Sequence, residues 1–375
     1  MIISLYFQLI TLLNFFSNIY VIFLLFIFGY FEIVSEGFVV LSLINIFTQG
    51  FSSNIRNIYL GSSEVLNLKK IILFRIFIGT TGGFITGLFS YIFIGKSYIL
   101  FHFSLIFLTV INWILELVIA RYEKTRSINI YYIVNLSFFL FSSLFLIFFK
   151  DILFLSIFLF CNALLNILIF RKFFINIFNQ NIFFKKININ LGIFSTLLKT
   201  VANFSWRYFV IVFFGKSEAS FLFMGFMFGS FFGTVFDISY GAFFLKKFNN
   251  KKLLINIFFI IYILIVAFFI YLIKAFLYFD NVQFNILLTT AIFSIFGGFL
   301  TILALSRRQL FFEKIEFRKM CHKADICIYL FNFLTIPVLY YLNKQYLIMS
   351  YLVSSLFFYF IYIILFKNVY SKKII

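Results

Sequence analysis

Uninterrupted apolar runs of about 20 residues recur from one end of this chain to the other, and no other feature limits its fold as severely. Twelve are marked out, at 5–28, 36–55, 71–94, 97–120, 129–149, 152–173, 191–214, 218–244, 253–278, 283–306, 324–343 and 345–367. A run of that length is what an α-helix rising 1.5 Å per residue needs to cross about 30 Å of hydrocarbon. The strands of a membrane barrel alternate over about ten residues instead, which excludes that class. A soluble fold is excluded by amounts. Of the 375 residues, 64% are hydrophobic and 11% charged, where a soluble domain carries about 25% charged residues and lacks the interior to hide so much apolar surface. The expectation is an all-α polytopic membrane protein with about twelve transmembrane helices. The 67 Phe residues fit codon drift in an AT-rich bacterial genome, since Phe and Ile are interchangeable against lipid.

Charge tests the partition. The net charge of +19 comes from 31 basic and 12 acidic residues, and the basic ones gather in loops that follow even-numbered spans. These loops hold Arg56, Lys69 and Lys70; Arg121, Lys124 and Arg126; Lys172, Lys185 and Lys186; Lys246, Lys247, Lys251 and Lys252; and Arg307, Arg308, Lys314, Arg318, Lys319 and Lys323. The loops after odd-numbered spans hold Glu32 and Glu36, Lys150 with Asp151, Lys216 with Glu218, Asp280, and single Lys residues at 96 and 344. The positive-inside effect accounts for this alternation, places both termini in the cytoplasm and leaves no reason to invoke nucleic acid. The longest cytoplasmic connections are 174–190 and 307–323. The first divides the chain into an N-terminal six-helix half, 1–173, a linker, 174–190, and a C-terminal six-helix half, 191–375. A faint internal echo supports two halves: Asn14 to Ile22 resembles Asn203 to Ile211, and Ser35-Glu36 recurs as Ser217-Glu218. Because each half has an even number of spans, such repeats are parallel.

Polar residues inside the spans carry the functional signal, because hydrocarbon makes them costly. Span 7 bears Thr196, Lys199, Thr200, Asn203 and Arg207, at helical offsets 0, 3, 4, 7 and 11, which is one face. Span 2 bears Ser42, Asn45, Gln49, Ser52, Ser53 and Arg56 on one face. Span 1 adds Thr11, Asn14 and Asn18, and span 8 adds Ser230, Thr234 and Asp237. Lys199 and Arg207, two cations on one face, point to a hydrated cationic cavity or to an ion pair. Lys199 matches Asp237 in depth, and Arg75 of span 3 matches Glu116 of span 4. The second pair reads as structural or as cations reaching for the interface. The spacing Gly79, Gly83, Gly87 and the spacing Gly225, Gly229, Gly233 predict close helix packing. Pro337 predicts a kink in span 11. Cys161, Cys321 and Cys327 make no disulfide framework, and the adjacent Cys321-His322 is poor metal-chelating geometry. No cofactor is implied.

At this point the pattern resembles a family. The stretch Asn203 to Gly225, with Arg207 in mid-span and a Phe214-Gly215 turn, is similar to the seventh-to-eighth helix junction of O-antigen and polysaccharide flippases. These belong to the multidrug/oligosaccharidyl-lipid/polysaccharide exporter superfamily. Gly29 to Leu41 is similar to their first-to-second helix junction. Trp206 stands where relatives commonly carry Asp, and the chain is short for the family. The resemblance implies two six-helix halves around a central cavity lined by spans 1, 2, 7 and 8, in a monomer of the bacterial inner membrane. It implies a substrate too, a saccharide on undecaprenyl diphosphate or a similar polyprenyl carrier, surrounded by membrane lipids. Lys199 and Arg207 are then expected to screen phosphate, and Asn203, Thr200, Asn45, Gln49 and Asn18 to bind the head group. Asp237 would pair with Lys199 or act beside it. The protein is expected not to be an enzyme.

Two other readings remain open on the residues alone. A membrane polymerase, ligase or glycosyltransferase acting on lipid-linked saccharide would need catalytic groups outside the bilayer, and the only acidic pair there is Glu32 with Glu36. A drug or cation exporter of the same superfamily would need acidic cavity residues, and Asp237 is one acid against two bases.

Overall fold

The computed structural model describes residues 17–52, 68–125, 131–178, 190–240, 251–276, 280–312 and 315–371. The described residues are helical and include no strand. In chain order the helices are α1 (Ser17–Ile27), α2 (Phe31–Thr48), α3 (Leu68–Phe89), α4 (Ile99–Thr125), α5 (Tyr131–Phe149), α6 (Ile152–Ile169) and α7 (Arg171–Phe178). They continue as α8 (Asn190–Phe214), α9 (Lys216–Tyr240), α10 (Lys251–Phe276), α11 (Asn281–Phe312), α12 (Ile315–Leu342) and α13 (Ser350–Ser371). A π-helical turn, Ser90–Ile94, extends α3, and a 3₁₀ turn, Lys344–Met349, leads into α13.

Among the described residues, eight helices are long and apolar enough to cross a membrane: Phe31–Thr48, Leu68–Ile94, Ile99–Arg121, Ile152–Ile169, Ile193–Phe214, Asn281–Arg308, Lys319–Leu342 and Lys344–Leu365. Phe77, Phe84 and Phe148 are 67%, 68% and 74% exposed, an arrangement that is stable where the surroundings are themselves apolar. This is the make-up of a polytopic helical membrane protein.

The turns explain where the helices stop. Between α1 and α2 the chain enters left-handed backbone at Gly29 (φ 81°). There Gly29 N–H donates to Phe26 O and Tyr30 N–H to Leu25 O, each at 3.0 Å, which satisfies carbonyls that the helix end leaves open. Gly215 (φ 83°) does the same between α8 and α9, with its N–H on Ile211 O at 2.9 Å. Glycine has no Cβ to strain that conformation. At the start of α6, Asp151 accepts from Leu153 N–H at 2.8 Å, so it serves as a cap.

The chain forms two compact units, Met1–Phe204 and Ser205–Ile375. The division falls within α8. In unit 1, α4 is the central post, against which α2, α3 and α6 pack. The small residues of α3 permit this approach: a Cβ on Gly79, Gly83 or Gly87 would meet Val110, Ile106 or Phe103 of α4. Unit 2 is built on α11, which packs against α9, α12 and α13. A Cβ at Gly225 would meet Thr290, and one at Gly229 would meet the backbone of Ser294. Ser294 Oγ donates to Gly225 O at 2.5 Å. Both glycine stripes therefore make the close helix contacts expected of them. The surroundings of Gly233 lie outside the described residues.

One expected loop is corrected. Residues 307–323 were expected as a cytoplasmic connection, but α11 runs to Phe312 and α12 begins at Ile315. The charges there mark the end of the apolar stretch, and the helices continue past it. Charged side chains of high helix propensity permit that.

Candidate functional site

The polar face of span 7 lies on α8, and it meets α2 within unit 1. Thr196 Oγ1 donates to Gly50 O at 2.7 Å, just past the end of α2. Gly50 has no room for a side chain, because a Cβ there would meet Leu197 and Thr200. This contact brings half-buried Asn45 and Gln49 to the same helix pair as Thr200, Lys199 and Asn203. Thr200 is buried and turns its hydroxyl back onto α8, toward Thr196 O at 3.1 Å and Leu197 O at 2.9 Å. Asn45 accepts from Thr48 Oγ1 at 3.3 Å. Lys199 and Asn203 are exposed.

Arg207 follows on α8, in unit 2, and is half-buried. Its neighbour Trp206 is an anchor. The indole Nε1 donates to Ser350 Oγ at 3.1 Å, and its ring meets Phe223 and Phe226 edge-on, with centroids at 5.6 and 4.5 Å. The side chain of Asp237 lies outside the described residues, and with it the expected pairing to Lys199. The side chain of Thr234, and Thr11, Asn14, Ser53 and Arg56, also lie outside them.

Asn18 is a correction. It was expected to bind a head group, but it is 7% exposed and donates through Nδ2 to Thr109 Oγ1 of α4 at 2.9 Å. One residue before it, Ser17 accepts from Asn112 Nδ2 at 2.9 Å. The polar face of α1 is thus sewn to α4 by two hydrogen bonds between side chains, away from water. Two residues on the span 2 face also serve packing: Ser42 is buried and bonds its own helix at Val39 O, 2.8 Å away, and Ser52 belongs to the cluster described next.

The Arg75–Glu116 pair forms as its depth suggests. Arg75 is fully buried, and its Nη1 donates to Glu116 Oε2 at 3.0 Å and to the Trp113 carbonyl. Nη2 donates to Ser52 Oγ at 3.2 Å, and the guanidinium lies 4.7 Å from the Trp113 ring centre. Three side chains from two segments, Glu116 and Trp113 of α4 and Ser52 beyond α2, neutralise and enclose one buried cation.

Two clusters were not anticipated. In unit 2, Arg308 of α11 grips Asp325 of α12 through both oxygens, Nε to Oδ1 at 3.1 Å and Nη2 to Oδ2 at 2.8 Å. Tyr362 of α13 donates to Asp325 Oδ1 at 2.7 Å. In unit 1, Glu36 of α2 faces His102 of α4, with Oε2 3.3 Å from Nε2. Glu36 had been assigned with Glu32 to a solvated outer loop. It is 3% exposed, so only Glu32 is a surface residue. A signal existed for one of them: His102 stands among apolar neighbours near a span end, which requires a partner; Asp325, two residues after Lys323, reads as part of the charged border of its span. Comparison of the chain with known protein families, with curated proteins and with solved structures finds no match.

Proposed function

We propose that this chain is a flippase that moves a polyprenyl-diphosphate-linked saccharide across a bacterial inner membrane by alternating access. The observation that carries the reading is the exposure of Lys199 and Asn203 on a membrane-length helix. Counted from Ile193, the start of that span, Lys199 lies about 9 Å along the axis and Asn203 about 15 Å. A cation held against hydrocarbon at the bilayer centre costs ~2.5–3.5 kcal/mol even on the lenient scale. Water or an anion against that face removes the cost. A diphosphate is such an anion, and sugar hydroxyls bond to amides and alcohols. Arg207 adds a second cation on the same helix, and half-buried Asn45 and Gln49 add hydrogen-bonding groups, while the Thr200 hydroxyl is spent on its own helix. The prenyl tail needs only hydrocarbon and stays in the bilayer.

The matching roles of α4 and α11 support two halves of six crossings each. These helices are the fourth spans of their halves, and each is the post around which its own unit packs. In this reading twelve helices cross the membrane, both termini face the cytoplasm, the halves open alternately to each side, and the protein works as a monomer. The test uses purified protein in vesicles with a fluorescent polyprenyl-diphosphate disaccharide in both leaflets. An impermeant quencher then reaches the inner-leaflet label in protein-containing vesicles and only the outer-leaflet label in empty ones. Equal quenching in the two overturns the proposal.

A further inference from the structure

A groove runs along unit 1 between helices of membrane-spanning length. α4 forms its floor, α3 one wall, and α6 with α7 the other, and its volume is about 650 Å³. Small-molecule sites usually enclose about 300–1,000 Å³. The space has a cause in the sequence: Gly79 and Gly83 give the α3 wall no side chains where it passes α4. From Phe103 to Leu115 the groove follows α4 for about 18 Å, against about 15 Å for the hydrocarbon of one leaflet. It opens outward beside Phe84 and Phe103, both exposed.

The lining favours one chemistry along its length and another at one end. Its walls and floor are aliphatic and aromatic. The Thr80 hydroxyl in the α3 wall is spent on its own helix, donating to Ile76 O at 2.9 Å and Phe77 O at 3.0 Å. A sugar or a peptide would lose its water there and gain no partner. Arg171 changes the character of the groove at the α7 end. It is exposed, and it comes two residues after Ile169, where the α6 span ends. Arg171 therefore stands at the membrane border, the level of lipid phosphates. Lys172, next in the chain, is exposed too, and the guanidinium of Arg121 on α4 lies 5.2 Å from the ring centre of Phe173 on α7. Glu116, the acid on this part of α4, is committed to Arg75 at 3.0 Å. This end is cationic, and a guanidinium can hold a phosphate through two parallel hydrogen bonds.

An apolar slot about one leaflet long that finishes in bases suits an amphiphile with a hydrocarbon chain and an anionic head. We propose that this groove binds an anionic phospholipid, with an acyl chain along α4 between α3 and α6 and its phosphate on Arg171, in the positive field of Lys172 and Arg121. A zwitterionic lipid brings the same phosphate with a cation attached, which the three bases repel. The bound chain fills the space between α3, α4 and α7 and so fastens the short helix to the two long ones. The polar face assigned to the cargo is elsewhere, on α8 and α2, so this site exists whether or not the protein moves a lipid, and the two readings fail separately.

The test is photolabelling of the full chain in phosphatidylcholine vesicles that contain a trace of phosphatidylglycerol with a diazirine near the end of one acyl chain. Mass spectrometry of the fragments should place the label on residues 76–84 and 103–115. Unlabelled phosphatidylglycerol should displace the probe at about tenfold lower mole fraction than phosphatidylethanolamine, since each base near the surface favours an anionic lipid. Changing Arg171→Gln and Lys172→Gln together should abolish most of that preference. Thr80→Phe, which fills the groove and leaves the bases in place, should reduce labelling of 103–115 several-fold. Glycerol phosphate, the head without a chain, should displace nothing. Label spread evenly over the exposed helices, equal displacement by the two lipids, displacement by glycerol phosphate, a preference that survives loss of both bases, or unchanged labelling in Thr80→Phe overturns the proposal. Stronger displacement by a polyprenyl phosphate overturns it as well, and makes the groove a seat for the cargo's tail. The wild-type competition alone decides if a variant does not fold.

Discussion

The Arg308–Asp325–Tyr362 cluster makes an asymmetric prediction. The side chain of Arg308 is 19% exposed and that of Asp325 is 2% exposed. Arg308→Leu therefore strands a carboxylate with almost no access to water, held only by the Tyr362 hydroxyl 2.7 Å away. Asp325→Leu takes the carboxylate from a guanidinium that still reaches solvent along one edge. Breaking a buried pair by removing one partner costs about 3–5 kcal/mol. Arg308→Leu should fall at the upper end and Asp325→Leu at the lower. The double variant leaves no buried charge, only the Tyr362 hydroxyl without its carboxylate and with the Cys321 carbonyl 3.4 Å away, at about 1–3 kcal/mol. The two single changes should then sum to at least ~3 kcal/mol more than the double, a coupling at or above the top of the range usual for contacting residues. Reversible unfolding in mixed micelles, run as a double-mutant cycle, measures it. A coupling within about 0.5 kcal/mol of zero, or a larger cost for Asp325→Leu than for Arg308→Leu, would refute the reasoning.

Three further outcomes are expected. Arg207→Ala should insert normally yet slow leaflet exchange of the labelled lipid by about tenfold or more, since one charge-assisted contact contributes ~1.5–3 kcal/mol; wild-type exchange would remove Arg207 from the site. Arg75→Met should destabilise by about 3 kcal/mol in the same unfolding assay, because Glu116, 28% exposed, keeps some water when its partner goes. Gly29→Ala and Gly229→Ala should lower thermal stability for different reasons. At Gly29 nothing lies within 4 Å, so only the left-handed backbone resists, at about 1–2 kcal/mol. At Gly229 a Cβ would strike the backbone of Ser294, and α9 and α11 must part. A neutral Gly229→Ala would count against the seam.

The helices were legible because hydropathy is a local property: each apolar run closes its own backbone hydrogen bonds, whatever packs beside it. Arg75 and Glu116 were legible too, since equal depth in consecutive spans leaves two opposite charges few other places to go. Periodicity revealed the wettable face of α1 but not its neighbour. Asn18 meets Thr109, 91 positions away, and a repeat of three and four residues carries no information about that distance. Glu36 was misread for a related reason. It sits at the edge of an apolar run, where hydropathy alone suits surface and interior equally, and His102 decides between them. The echo between Ser35-Glu36 and Ser217-Glu218 shows the limit of such matches. Glu36 is enclosed, whereas Glu218 is about half exposed and stands 3.8 Å from exposed Lys344. At 307–323 hydropathy found the edge of the membrane-facing stretch, and helix ends need not coincide with it.

The glycine seam between α9 and α11 has a consequence for biogenesis. The two helices are not consecutive; α10 is made between them. A nascent chain that has delivered α9 and not yet α11 therefore shows lipid a groove of bare peptide backbone with nothing to close it. The seam can form only after a third segment has left the translocon, so the second half of the protein matures late, and a chain stalled before Asn281 presents membrane proteases with that open groove.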